Sequence, residues 1–118
     1  MTVRRGDVVL AWYPFSSGTG GKRRPCLVIQ NDEDNAKIAN TIVAQITSTL
    51  TRTGDKSHVL VDVSTPNGRQ AGLLHDSLIS CNNLATIEQG LVQKMIGTLA
   101  SATMQAVERS LKAALNMS

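Results

Sequence analysis

Four short apolar runs, each rich in β-branched residues and each cut off by turn-forming residues, constrain this chain most. They are "GDVVLAWYPF" (6–15), "PCLVIQ" (25–30), "TIVAQITS" (41–48) and "HVLVDV" (58–63). Runs of this length and composition read as strands. The first is apolar along its whole length, as a strand buried on most of its surface would be. The third alternates, with Ile42, Ala44 and Ile46 on one face and Thr41, Val43, Gln45 and Thr47 on the other. In the fourth, Val59, Val61 and Val63 face one way and Asp62 the other. Pro25 belongs at the start of its strand, where a missing N–H is tolerated.

The segments between the runs are loops. "SSGTGGK" is glycine-rich and polar, and is expected to be mobile. "NDEDNAKIAN" has room for a short helical turn, and Pro-Asn-Gly in "STPNGRQ" signals a turn. "GLLHDSLISC" supplies one or two more short strands. "LATIEQGLVQKMIGTL" combines a helical turn with a last strand near Lys94 to Leu99. The tail is different: Met104, Val107, Leu111, Ala114 and Leu115 fall three and four apart, the mark of an amphipathic helix. Ser101 or Thr103 is its expected N-cap, and Lys112 lies late, where its charge suits the helix dipole. Strands followed by one helix predict a mostly β (α+β) fold, a small curled sheet or barrel capped by the helix. At 118 residues, with 42% apolar residues and no internal repeat or linker, one domain over 1–118 is expected.

No apolar run is long enough to span a bilayer, and no signal-peptide pattern opens the chain, so a cytoplasmic protein with no membrane partner is expected. Cys26 and Cys81 form no CxxC motif and no His pair has ligand spacing, so no metal or other cofactor is expected. GxSxG, Walker, HExxH and Rossmann signatures are absent. The net charge of +3 is mild, but Arg4, Arg5, Lys22, Arg23 and Arg24 precede residue 25 against a single acid, Asp7. Such a locally basic segment favours an anionic partner.

The ordered series "RRGDVVLAWYPF", a glycine-rich loop, "KRRPCLVIQND", "NTIVAQITS", "GLLHDSLISCNNLATI" and "IGTLASATMQAVERSLKAAL" resembles the MazF/PemK family of toxin endoribonucleases, from Arg5 to Leu115. The resemblance implies a homodimer of SH3-like (CcdB/PemK-like) barrels, each with a C-terminal helix. It implies metal-independent, sequence-specific cleavage of single-stranded RNA. It also implies a cognate antitoxin that lays an acidic, disordered segment over the RNA groove. Arg24, before Pro25, matches the family's catalytic arginine, and Thr47, in "ITS", its catalytic threonine.

The chemistry suits both residues. A substrate 2′-OH that attacks the adjacent phosphorus gives a 2′,3′-cyclic phosphate and a 5′-OH end. Charge then builds on the non-bridging oxygens, for which a guanidinium is a planar, permanently charged fork. Arg24 could equally be a solvated strand-end residue, and Thr47 a hydroxyl bonded within its own turn. Lys22 and Arg23 are candidate phosphate contacts, and Phe15 a candidate platform for stacking a base, with Trp12 assigned to the core. Asn82 and Asn83 match family positions implicated in base contacts, or simply make a turn. His75, Ser77 and Ser48 complete the candidate RNA contacts, with Asn31, which together with Asp76 is also expected to brace the site loops.

"SCN" (Ser80 to Asn82) stands where some PemK-like members carry Arg-x-Asp, and the first loop has no histidine. This favours an Arg/Thr scheme over one relying on those groups. Two other readings fit the same pattern. One is an SH3-like module that binds RNA or a peptide without cutting. The other is a toxin of similar fold that poisons gyrase through its C-terminal helix, although "SLKAALNMS" lacks the aromatic-acidic ending of such toxins.

Overall fold

The computed structural model describes residues 2–118. Its elements, in chain order, are β1 (Asp7–Pro14), β2 (Gly21–Val28), α1 (Asp32–Lys37), β3 (Asn40–Thr47), β4 (His58–Val61), α2 (Pro66–Gln70), β5 (Ser77–Glu88), a 3-10 turn (Gln89–Leu91), β6 (Val92–Thr98) and α3 (Ser101–Ala114). The strands form one antiparallel sheet ordered β4-β5-β3-β2-β1-β6.

The end strands β4 and β6 do not pair, so the barrel expected from the sequence is a curled sheet that stops short of closing. Val59 and Val61 of β4 and Ile96 of β6 still meet in one cluster with Val8, Leu27, Ala44, Ile46 and Ile79. Residues 62–76 bridge the gap between the ends. Gly72 lies there at φ +76, and a Cβ on it would overlap the Ile96 carbonyl. Only glycine lets the loop backbone lie directly on β6 at this point. The other sheet face carries a second cluster, which includes Val9, Ala11, Tyr13, Cys26, Val28, Val43 and Ile87. Full burial of each such Val or Leu contributes roughly 1.5–3 kcal/mol.

Helix α3 packs on its own sheet, against β4 and β5. Val107 is fully buried, and Met104, Leu111 and Ala114 lie against the first cluster, as their spacing predicts; Leu115 is exposed. The helix starts at Ser101 with Ala100 as its N-cap, so neither Ser101 nor Thr103 caps it.

The remaining differences lie at element boundaries. β2 begins at Gly21 rather than Pro25, so the "SSGTGGK" loop shrinks to a hairpin turn. That turn is closed by Phe15 N–H to the Gly20 carbonyl (3.0 Å) and Gly18 N–H to the Phe15 carbonyl (3.1 Å). Cross-strand pairing with β1 holds "KRR" extended despite its polarity. β4 stops at Val61 because the Asp62 carboxylate accepts from both N–H and Oγ–H of Ser64 (2.9 and 2.6 Å) and turns the chain. The same bonds hold the Asp62 carboxyl below its usual range. Pro-Asn-Gly is the first turn of α2, with Pro66 at its start and the Thr65 hydroxyl accepting from Gly68 N–H (3.0 Å). "LATIE" is extended, as the second half of a long β5, and the helical turn expected in this stretch is the 3-10 turn Gln89–Leu91 that follows it. "NDEDNAK" does form a helix, α1, capped by Asn31.

Candidate active site

Strand β2 has two unlike halves. Its ladder with β1 runs from Val8↔Leu27 to Pro14↔Gly21. Its ladder with β3 holds only three pairs, Val28↔Val43, Leu27↔Ala44 and Cys26↔Gln45. The next residue is Pro25, which has no N–H to donate, and there the two strands part. Continuing the same register faces Pro25 with Ile46 and Arg24 with Thr47. Side-chain alternation puts Arg24 on the face of Cys26, and Thr47 on the face of Gln45. Two residues far apart in sequence thus stand across the mouth of one split between strands.

The split opens into a cleft of about 690 Å³, lined by both Arg24 and Thr47. Its cations are Lys22, Arg23, Arg24 and Lys94, and among the described residues no acid lines it. Leu73 and Leu74 form an apolar wall, and Ser48, His75 and Ser77 also border the space. The Thr47 hydroxyl accepts from Thr49 N–H (3.1 Å), which fixes its oxygen and leaves its proton free to donate. Arg24 is half-buried and forms no ion pair among the described residues. An unpaired guanidinium opposite a free hydroxyl donor, with no carboxylate nearby, has the charge and the donors that a phosphate requires.

Two smaller clefts, each of about 270 Å³, adjoin the same pair of residues. One is lined by Arg24, Tyr13, Phe15, Gln45 and Asn83. The other is lined by Thr47, Arg52, His58, Gln45, Asn82 and Asn83. Asn82 and Asn83 do not form a turn. They lie in an irregular stretch of β5, where Ala44 pairs with Leu84 and Gln45 with Ser80, so residues 81–83 have no β3 partner.

Most of the candidate residues come together here, and some do not. Asn31 is held elsewhere: its Oδ1 accepts from Asp34 N–H (2.8 Å) as the cap of α1, and it lines none of these three clefts. Ser77 borders the large cleft, but it is buried and its hydroxyl donates to the His75 carbonyl (2.8 Å), so it braces the wall. Asp76 braces the same loop by accepting from Val63 N–H (2.9 Å). Arg5 reaches Glu108 on α3 (3.2 Å) and is no part of the basic cleft. Trp12 is 48% exposed and Tyr13 buried, reversing the expected core assignment, because alternation turns Tyr13 inward. Phe15 is 43% exposed, as a stacking platform must be.

Lys94 and Gln45 were not singled out from the sequence. Lys94 reaches the cleft only because β6 pairs with β1 in the register Leu10↔Lys94. Gln45 had a legible signal, being a polar residue two positions before Thr47 on the same strand face.

Burial pushes the Cys26 thiol up to about 12, against the opposing pull of the Arg24 charge. Cys26 is therefore a neutral packing residue and no nucleophile. Burial, together with Cys26, also raises the Tyr13 phenol to about 12, so its hydroxyl keeps its proton.

The sequence profile of the family described as PemK-like, MazF-like toxin of type II toxin–antitoxin system matches residues 4–115. Endoribonuclease EndoA of Bacillus subtilis (strain 168) is 33% identical over 116 residues, covering 98% of this chain and 96% of that protein. Among solved structures, the Mycobacterium tuberculosis toxin MazF-mt6 superposes with a TM-score of 0.74 at 25% identity, covering 95% of this chain and 98% of that one. An endoribonuclease from a mycobacterial species, in complex with its cognate antitoxin, shares the fold with a TM-score of 0.78 at 20% identity, covering 98% and 97%. The matched span includes every strand that shapes the cleft, and with it both Arg24 and Thr47: the chain belongs to the PemK-like, MazF-like toxin family of type II toxin–antitoxin systems.

Proposed function

We propose that the protein is a toxin endoribonuclease that cuts single-stranded RNA at short sequences without a metal, with Arg24 and Thr47 as its catalytic residues. The observation that carries this reading is that Arg24 and Thr47, just beyond the point where β2 and β3 part, line one acid-free cationic cleft. The family and the endoribonuclease relatives support it.

The nucleophile is the substrate's own 2′-OH. Its oxygen bonds to phosphorus as it loses its proton, the bond from phosphorus to the 5′-oxygen breaks, and that oxygen leaves protonated. The products are a 2′,3′-cyclic phosphate and a 5′-OH end. Arg24 binds the equatorial oxygens, whose charge grows as the phosphorane forms. The Thr47 proton, left free by the Thr49 bond, donates to the same phosphate. Lys22 and Arg23 hold flanking phosphates, Ser48 and His75 contact the strand within the cleft, and Phe15 stacks a base.

The natural inhibitor is a cognate antitoxin whose acidic, disordered segment covers the same cations, and the working species is a homodimer in the cytoplasm. No helix of the described residues is long and apolar enough to cross a membrane. The deciding experiment incubates purified protein with long single-stranded RNA and EDTA and maps the 5′ ends. Discrete cuts bearing 5′-OH and lost in Arg24→Ala are expected. Cuts abolished by EDTA, or retained in Arg24→Ala, defeat the scheme.

A further inference from the structure

The two small clefts share only two lining residues, Gln45 and Asn83. These residues form a wall of two carboxamides, with the Arg24 compartment on one side and the Thr47 compartment on the other. The wall is held by hydrogen bonds. Asn83 Nδ2 donates to Gln45 Oε1. The Tyr13 hydroxyl lies 2.8 Å from Asn83 Oδ1 and 2.7 Å from the Asn83 carbonyl oxygen, both acceptors. The Tyr13 hydroxyl shares its one proton between these two oxygens, with Asn83 Oδ1 turned toward it and Nδ2 toward Gln45. With its oxygen engaged, Gln45 presents an NH2 group that has no protein acceptor among the described residues. That group lies beside Arg24 and Thr47, with Phe15 in the adjoining compartment.

Resting on the endoribonuclease reading of this site, we infer that Gln45 selects the base beside the scissile phosphate. Its free NH2 donates to O4 of uracil or O6 of guanine, so these bases are favoured over cytosine and adenine, which present an amino group at the same position. Asn83 and Tyr13 act as positioning residues that fix which end of the Gln45 amide faces the RNA. They are not themselves readers of the base. A donor facing another donor leaves both unpaired in a site from which water is partly excluded, and that mismatch is the source of the selection.

The test maps cleavage sites of the full chain on a pool of randomised single-stranded RNA and reads base frequencies on each side of the cut. Wild type is expected to favour U and G over C and A by roughly 3- to 10-fold at one flanking position. Gln45→Glu keeps the acceptor used by Asn83 but replaces the free donors with an acceptor, and is expected to invert the preference toward A and C. Tyr13→Phe removes one hydroxyl and is expected to relax the preference toward unity without inverting it. Cleavage with no keto preference in wild type, an unchanged preference in Gln45→Glu, or a wild-type preference in Tyr13→Phe overturns the assignment while leaving the nuclease reading intact. If Gln45→Glu does not fold, Tyr13→Phe decides alone. Wild-type protein that cuts nothing removes both readings.

Discussion

The two halves of β2 make opposite use of one backbone. From Cys26 to Val28 the strand pairs on both sides and its side chains are fully buried. From Gly21 to Pro25 it pairs with β1 alone and carries three cations. The break between them is one residue, Pro25. A residue with no N–H to give ends a ladder at no cost if the partner strand turns away there, and β3 ends at Thr47, two positions beyond its last pair with β2. The core half fixes the register, and the register delivers Arg24 to Thr47. Stability and activity therefore reside in adjacent residues and can be separated by substitution.

The largest effect on stability belongs to the paired half. Leu27→Ala empties a fully buried position in the main cluster and should cost about 2–5 kcal/mol, read from urea unfolding midpoints at unchanged slope. In the open half, Arg24→Ala should lower the cleavage rate by roughly 100- to 1000-fold. Its stability should shift by no more than about 0.5 kcal/mol. A large loss of stability there would mean the two halves are not separable.

Alkaline pH offers a smaller contrast. The Cys26 thiol is raised from 9.0 to about 12, the Cys81 thiol from 9.0 to about 11 and the Tyr13 phenol from 10.0 to about 12, all chiefly by burial. Each holds its proton more tightly folded than unfolded, so its contribution is complete below pH 9 and is lost as pH rises toward 12. Unfolding midpoints should fall steadily across that window, and a flat profile would show that the buried half is open to solvent. The smallest effect is expected from Lys22→Ala with Arg23→Ala, in an Arg24→Ala background that binds RNA without cutting. The slope of log affinity against log salt should become shallower by roughly 0.7 for each phosphate that the protein no longer neutralises. An unchanged slope would take these two exposed cations out of the RNA path.

Much of this was legible in the sequence where the chemistry is local. An unbroken apolar run marks β1, alternation marks β3, three-and-four spacing marks α3, and the "NDEDNAK" segment forms its helical turn. Boundaries were less legible, since competing local signals decide them. Glycine and polarity make 16–22 look like loop, but pairing with β1 holds Gly21 and Lys22 extended. Asn82 and Asn83 look like a turn, yet they are carried through an irregularity inside β5. The basic N-terminal segment reads as one group in the sequence, but Arg5 points to Glu108 while Lys22, Arg23 and Arg24 line the cleft.

By itself, the sequence determined residue types and periods: which stretches must be buried, where a proline denies a donor, and the presence of one arginine and one threonine fit for phosphate chemistry. Only the tertiary structure decided which of these groups meet. Register between strands depends on pairings made across tens of residues, so nothing local to "KRRP" specifies that Arg24 faces Thr47. The same holds for Lys94 on β6 and for the Tyr13–Asn83–Gln45 chain. Each unites residues from different strands, and their meeting is fixed by how the sheet packs around its two buried clusters.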